Sequence, residues 1–370
     1  MKAVTVKILL INNDKGWSGG QENLMDLGGE LVRRGVELHF VVRVGSPSER
    51  RFRELGPVYP MPHHGLGDVR ALGILAAAMR RERFDIISVN REHDLLFTVL
   101  ARWLAFPLSR PGRLMMTYHT TSSRPHPFLA AVDGVVCISE HVRTRLLVGN
   151  PGVAARTDIL YHGIRLGLPP GAEKFRRDRE RRFFRGLGFP LIGMAGEFWK
   201  NQQEMVEVLH LLLPEFPDLM LAFVGDNTDL GLIEPVMATI ERLGVADHVV
   251  FTGRVPRERM ADIFFDFDLS VTTHRNEGFG IVHLESLAAG TPVVSYDEGG
   301  MVDILKSGEA GRVVHGGPAE FAATVAVLLA DHEARFAMGA RGYEMLRREY
   351  SVEAMGGRYL AYYRRLLGES

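Results

Sequence analysis

Residues 276–300 read NEGFGIVHLESLAAGTPVVSYDEGG. Glu277 falls in a loop after a strand, and Gly278 and Gly280 permit close backbone approach and positive φ. The pattern predicts a helix beginning at Gly280 or Ile281. Its first N–H groups and its dipole would face whatever lies over the loop, an arrangement suited to phosphate. Ile281, Leu284 and Ala288 are read as the apolar stripe, with Glu285 on the same face. A carboxylate there needs a partner or a ligand hydroxyl, because burying it alone is costly. Gly290-Thr291-Pro292 ends the helix and opens the next strand, and Gly299-Gly300 makes a second turn. Glu277 and Glu285 are thus placed to hold two ends of an extended polyol.

Around this stretch the chain alternates strand and helix. Short apolar runs at Lys7 to Ile11, Val36 to Val42, Asp85 to Val89, Leu114 to Tyr118 and Gly134 to Ile138 read as buried parallel strands. Leu24, Leu27, Leu31 and Val32 recur at helical spacing and stop at Gly35. A second series follows at Leu191 to Ala195, Leu219 to Val224, Val249 to Thr252, Leu269 to Thr273 and Pro292 to Tyr296. This alternation predicts an α/β protein of two Rossmann-like, doubly wound parallel-sheet domains. The boundaries are placed at 1–170, a charged linker at 171–188, and 189–370, with the last helix free to pack back on the first domain. Two such domains facing across a cleft would bind a ligand at the carboxyl ends of their strands. Residues 45–67, interrupted by Pro47, Pro57, Pro60 and Pro62, are read as irregular acceptor loops.

The 370 residues are 46% hydrophobic, 24% charged and 9% aromatic, which excludes a disordered, collagen-like or disulfide-framework chain. One cysteine, Cys137, forms no intrachain disulfide and favours a reducing cytosol. No window approaches the roughly 18–20 apolar residues of a membrane span, and no signal peptide is read. The net charge of −1 conceals an asymmetry: residues 1–190 hold 29 Lys+Arg and 18 Asp+Glu, giving the second half the acidic excess. The arginines cluster at 50–53, 80–83 and 176–185. They read either as solvated faces and a linker or as contacts for an anionic acceptor or membrane surface. No recognition motif points to nucleic acid.

The run Glu277-Gly278-Phe279-Gly280 with Glu285, followed by Ala289-Gly290-Thr291-Pro292-Val293 and Gly299-Gly300, resembles the signature of retaining glycosyltransferases of family 4, which have the GT-B fold. The resemblance covers most of the chain. Ser18-Gly19-Gly20 is similar to the family's first glycine-rich loop, Thr117-Tyr118-His119-Thr120 to its strand-end histidine motif, and Cys137-Ile138-Ser139-Glu140 to a later serine segment. Tyr161-His162-Gly163 stands where the family often has Asn-Gly, and Lys200-Asn201-Gln202 resembles its phosphate-contacting lysine motif. The resemblance implies that Glu285 holds ribose hydroxyls, and that Lys200 and the amides at Gly280 and Ile281 neutralise a diphosphate. Gly253, Arg254 and Val255 would face the base, while Glu277 and the backbone at Phe279 would grip the sugar. His119 would also meet the sugar, and Gly19 and Gly20 would let the first loop approach the diphosphate. Glu197 follows Gly196 where the family usually has arginine. Either Glu197 turns away, or Arg254 or Arg275 supplies the cation.

The implied activity is retaining transfer of a sugar from a nucleotide diphosphate, UDP favoured over GDP, to a carbohydrate or glycolipid acceptor in envelope polysaccharide or lipopolysaccharide synthesis. No cofactor or metal is expected. The expected location is cytoplasmic, with peripheral contact at the anionic inner face of a membrane. Two other readings stay open at this point: a sugar-nucleotide epimerase of the same fold, and a non-catalytic sugar-nucleotide binder.

Overall fold

The computed structural model describes residues 6–62, 68–109, 111–167, 169–171, 174 and 179–369. His63 and His64, within the stretch read as acceptor loops, and the clustered Arg176 and Arg177 lie outside them. The chain divides into two units, Met1–Arg165 with Ser351–Ser370, and Leu166–Tyr350.

In unit 1 the strands are β1 (Lys7–Asn12), β2 (Glu37–Arg43), β3 (Val58–Met61), β4 (Ile86–Val89), β5 (Arg113–Tyr118), β6 (Gly134–Cys137) and β7 (Thr157–Ile159). They are ordered β3-β2-β1-β4-β5-β6-β7, and every pairing is parallel. The helices between them are α1 (Gly19–Arg33), α2 (Pro47–Phe52), α3 (Val69–Glu82), α4 (Glu92–Ala105) and α5 (Glu140–Gly149). The central strands are buried on both faces, so their side chains read as unbroken apolar runs rather than alternating ones.

Unit 2 repeats the plan. Its strands are β8 (Leu191–Ala195), β9 (Met220–Val224), β10 (Val249–Phe251), β11 (Leu269–Thr272), β12 (Val293–Tyr296) and β13 (Gly311–Val314). Their order is β10-β9-β8-β11-β12-β13, again all parallel. The helices are α6 (Gln202–Leu212), α7 (Leu230–Leu243), α8 (Arg257–Asp266), α9 (Ile281–Ala288), α10 (Met301–Leu305), α11 (Pro318–Ala330) and α12 (His332–Glu349). The last helix, α13 (Val352–Leu367), belongs to unit 1. It packs on α1, sending Met355, Tyr359 and Tyr363 into the same core as Leu27 and Leu31.

Two expectations need correction. The proline-rich stretch is not irregular: Pro47 opens α2 at its first turn, where the missing N–H is an orphan anyway. Pro60 sits in β3, the edge strand, where one side needs no donor. Secondly, the charged segment before β8 is not a solvated linker throughout. Arg179 and Arg181 are buried, and both pair with buried Asp268 at 3.1 and 3.4 Å. Asp268 also accepts the Leu191 N–H at 2.8 Å. Asp266 accepts the N–H groups of Arg182, Phe183 and Phe184 at 2.7–2.8 Å. Lys174, equally buried, donates to the Phe265 and Phe267 carbonyls and to Thr291 Oγ1. Two aspartates flanking Phe267 thus fold the basic segment onto the amino edge of the second sheet, and sequence spacing gives no sign of that pairing.

Burial pushes the Asp268 carboxyl up, but Arg179, Arg181 and Arg335 outweigh it and hold the group below the ordinary range. Asp268→Asn should therefore leave buried guanidinium charge uncompensated and cost about 3–5 kcal/mol. A chemical denaturation midpoint for unit 2 equal to that of the native chain would contradict this.

Candidate active site

In a parallel sheet all the strand-to-helix turns emerge at the carboxyl edge, so residues far apart in sequence collect there. In unit 2 these turns carry Lys200 after β8, Asp226 and Asn227 after β9, Gly253 to Val255 after β10, His274 to Gly280 after β11, and Gly299-Gly300 after β12.

The closest polar contact among them joins Lys200 to Glu277. The ammonium lies 2.6 Å from Glu277 Oε2, and both side chains are mostly buried. Burial pushes the Glu277 carboxyl up, yet Lys200 outweighs it and holds the group below the usual glutamate range. His283, buried behind them, is pushed down to about 4 by burial and is neutral at physiological pH. His274 is lowered too, by burial, against the opposing pull of Glu277.

The loop carrying Glu277 is fixed from below. The Gly300 N–H donates to the Glu277 carbonyl at 2.7 Å. A Cβ on Gly300 would stand 2.2 Å from the Gly278 carbonyl oxygen, so only glycine allows this approach. Gly280 takes φ +89 at the start of α9, where a Cβ would meet Met301 Sδ at 2.5 Å. The helix starts at Ile281, as the sequence pattern requires, and the Phe279 side chain is buried near Tyr350. The backbone of this loop, not the phenyl ring, is therefore what Phe279 presents.

The face assigned to Glu285 is a correction. The core side of α9 is His283, Leu284, Ser286 and Leu287. Ile281 and Ala288 are half-buried, and Glu285 shares their more open side at 24% exposure, 3.5 Å from Arg257. Residues 283, 284 and 287 also obey helical spacing, so periodicity alone admitted both faces.

Glu197 points to solvent, while its carbonyl accepts the Lys200 N–H at 3.2 Å and Gln202 Nε2 at 2.7 Å. Its charge is thus turned out, and its backbone builds the lysine turn. Arg275 is already committed, to Glu204 at 3.2 Å, Glu298 at 3.6 Å and the face of Tyr296 at 3.5 Å. Arg254 is exposed in the turn after β10, and Val255 packs inward. Asp226, across from Arg254, accepts Thr228 Oγ1 and N–H bonds that lower its carboxyl, with Arg254 adding to the effect. Trp199, 56% exposed and edge-on to His274, was given no role by sequence reading although it adjoins Lys200.

Unit 1 has its own polar group at the carboxyl edge. His119 follows β5 and stacks on buried His162 with ring centres 5.4 Å apart. His119 Nε2 lies 3.3 Å from Asn90 Oδ1, and Nδ1 lies 3.5 Å from His162 Nε2. Since Asn90 Oδ1 can only accept, His119 carries its proton on Nε2, and His162 Nε2–H then donates to His119 Nδ1. Burial and nearby Arg91 push His119 down to about 4. Asn90 and His162 are partners that motif reading did not assign. Gly19 and Gly20 are not in the preceding loop but in the first turn of α1, where the Ser18 N–H donates to Gln21 Oε1 at 2.9 Å. Among the described residues one group, Glu37, His39 and Glu82, has metal-like spacing; Lys7 lies 2.9–3.0 Å from both carboxylates, and the group sits away from the carboxyl edge.

Comparison with known proteins agrees with this layout. Residues 188–345 match the family model described as Glycosyl transferases group 1, and residues 17–168 match Glycosyltransferase Family 4. The chain is 30% identical to a D-inositol 3-phosphate glycosyltransferase of Acidothermus cellulolyticus, over 74% of this chain and 67% of that one. It is 26% identical to the lipopolysaccharide core biosynthesis mannosyltransferase LpcC of Rhizobium leguminosarum, over 85% and 88%. In fold it is similar to Anabaena Alr3699/HepE in complex with UDP, with TM-score 0.81, 18% identity, and 96% and 99% coverage. Two Rossmann-like domains, each with its loops gathered at the carboxyl edge of a parallel sheet, are the architecture of the GT-B glycosyltransferases. The chain belongs to glycosyltransferase family 4 and is a glycosyltransferase, so the epimerase and non-catalytic readings fall away.

Because His119 titrates at about 4 when folded, against the ordinary value near 6.5, it should stay neutral from pH 5 to 8. Unfolded chains take up that proton first, so its contribution costs stability as the pH falls from 6.5 toward 4. Histidine NMR titration checks this, and a midpoint of 6 or above would refute the buried placement.

Proposed function

We propose that this glycosyltransferase moves a sugar from a nucleotide diphosphate, UDP favoured over GDP, to an acceptor hydroxyl with retention of anomeric configuration and without a metal ion. The observation that carries the reading is the Lys200–Glu277 ion pair beside the start of α9. A mostly buried ammonium held by a carboxylate can exchange that partner for a diphosphate. Glu277 is then released to accept from sugar hydroxyls. The orphan N–H groups opening α9 add donors and the positive end of a dipole.

The chemistry follows from where charge grows. As the glycosidic bond breaks, negative charge develops on the departing diphosphate. Lys200 and the α9 amides bind that state more tightly than the ground state, which lowers the barrier. With a lysine supplying the neutralising charge, the reading asks for no metal. Gly253, Arg254 and Val255 serve the base, and Glu285, half-buried on α9 and 3.5 Å from Arg257, serves the ribose. The departing phosphate takes the acceptor's proton, and the acceptor attacks from the same face. His119, neutral and oriented, and the first turn of α1 at Gly19-Gly20 belong to the unit 1 side of the reaction. UDP is favoured because the Anabaena neighbour was solved with UDP. An envelope polysaccharide or lipopolysaccharide acceptor is favoured by the likeness to the Rhizobium lipopolysaccharide enzyme.

The reading is tested by incubation with UDP- and GDP-sugars and envelope glycan acceptors, following nucleotide diphosphate release and the anomeric coupling of the product. Release of UDP, a product with the donor's anomeric configuration, and rates unchanged by chelator are expected; an inverted product or loss of activity with chelator contradicts it. Lys200→Ala should weaken nucleotide diphosphate binding by more than about tenfold, ~1.4 kcal/mol. Glu285→Ala should weaken nucleotide binding, whereas Glu277→Ala should lower kcat with the dissociation constant little changed. Calorimetry showing equal affinity for all three variants and the native chain would place the donor elsewhere.

A further inference from the structure

The turn between β8 and α6 carries side chains that the donor chemistry does not use. Phe198 points in: it is buried, with its ring centre 5.9 Å from those of Phe223 and Phe251. Its neighbours on either side point out. Glu197 is exposed, and Trp199 is the one aromatic among the exposed large apolar side chains described in unit 2. A lone exposed apolar group is ordinary. This one is held in place beside the site. His274 meets the indole edge-on, and the Lys200 ammonium lies 5.5 Å from the ring centre. The backbone beneath is pinned as well. The Gly196 N–H donates to the Val224 carbonyl at 2.8 Å, and Thr273 Oγ1 to the Asn201 carbonyl at 2.7 Å. Two polar groups on this turn stay uncommitted: the Glu197 carboxylate and the Trp199 indole N–H bond to no described residue. The cations nearby are already paired, Lys200 with Glu277, and Arg275 with Glu204 and Glu298.

A fixed indole with a free carboxylate beside it matches the chemistry of an uncharged sugar. The face of an indole is electron-rich and attracts the weakly positive C–H bonds that line one side of a pyranose ring. The indole N–H and the carboxylate then serve hydroxyls as donor and acceptor. A phosphate in the same place would meet the Glu197 charge, and such repulsion discriminates between ligands. In the proposed donor chemistry Glu277 holds the sugar and Lys200 the diphosphate. The anomeric carbon joins those two parts, so the acceptor hydroxyl arrives beside Lys200, which Trp199 directly precedes. We propose that Trp199 and Glu197 form an acceptor subsite on unit 2, which stacks an uncharged sugar ring on the indole and disfavours a phosphorylated one. The place of this subsite in the reaction rests on the proposed donor chemistry, but sugar binding to the turn is measured apart from it.

The test titrates the full chain with the methyl α-glycosides of glucose, galactose and mannose and with their 6-phosphates, each with and without UDP. Saturation-transfer NMR and tryptophan emission report binding. At least one neutral glycoside should take up saturation through the C–H protons of one ring face and shift the emission. Trp199→Ala should weaken that binding by about tenfold or more, while calorimetry finds UDP affinity within about twofold of the native chain. Trp199→Phe keeps a ring to stack on, so it should retain most of the glycoside binding and lose the emission shift. The 6-phosphate should bind more weakly than its parent, and Glu197→Gln should close most of that gap. Unchanged circular dichroism would show that the variants are folded. Three results would overturn the proposal: no saturation transfer to any neutral glycoside, glycoside affinity unchanged in Trp199→Ala, or a 6-phosphate that binds the native chain as well as its parent. UDP affinity unaffected by Lys200→Ala would instead contradict the donor chemistry, and the titrations without UDP would still decide the subsite.

Discussion

The ion pair between Lys200 and Glu277 joins two turns 77 residues apart in sequence, and the proposed donor chemistry turns on it. Neither group is cheap to bury alone. Each makes the other tolerable in a mostly enclosed place, which keeps a positive charge ready where a diphosphate would lie. Other features of the carboxyl edge of unit 2 support that pair. The Glu197 carbonyl shapes the lysine turn, the Gly300 N–H pins the glutamate loop, and buried neutral His283 adds no charge behind them. Arg275, held by Glu204, Glu298 and Tyr296, is kept out of competition for Glu277.

The amino edges of the two sheets have different tasks. In unit 2 that edge is a structural lock, with Asp266 and Asp268 drawing in Lys174, Arg179 and Arg181 through charge and backbone hydrogen bonds. In unit 1 the same edge holds the ends of α3 and α4, tied by Arg80 donating to the Leu104 and Ala105 carbonyls. Ligand loops at one edge and stabilisation at the other is a division that parallel sheets favour, because every helix returns the chain to the same starting edge.

The sequence made the fold legible because buried parallel strands carry continuous apolar runs, and these stand out at Ile8 to Ile11 and at Leu191 to Ala195. Of the four edge strands only β10 showed. β3 holds a proline, and β7 and β13 are short and partly open. At the carboxyl edge of unit 2, the start of α9 at Gly280 and the turns that carry Glu277 and Lys200 were legible from local motifs, since helix starts and glycine turns are local constraints. Partnerships were not. Asn90 and His162 meet His119 only through tertiary packing, and no spacing rule links residues 90, 119 and 162. The orientation of Glu285 was misjudged because a short helix has two faces that satisfy the same periodicity.

The most direct measurement is a crystal structure with bound UDP. The account predicts that the Lys200 ammonium has left Glu277 for a diphosphate oxygen at the start of α9, and that the Glu277 carboxylate is turned toward the place of the sugar. An intact Lys200–Glu277 pair, with the diphosphate bound away from the first turn of α9, would contradict it.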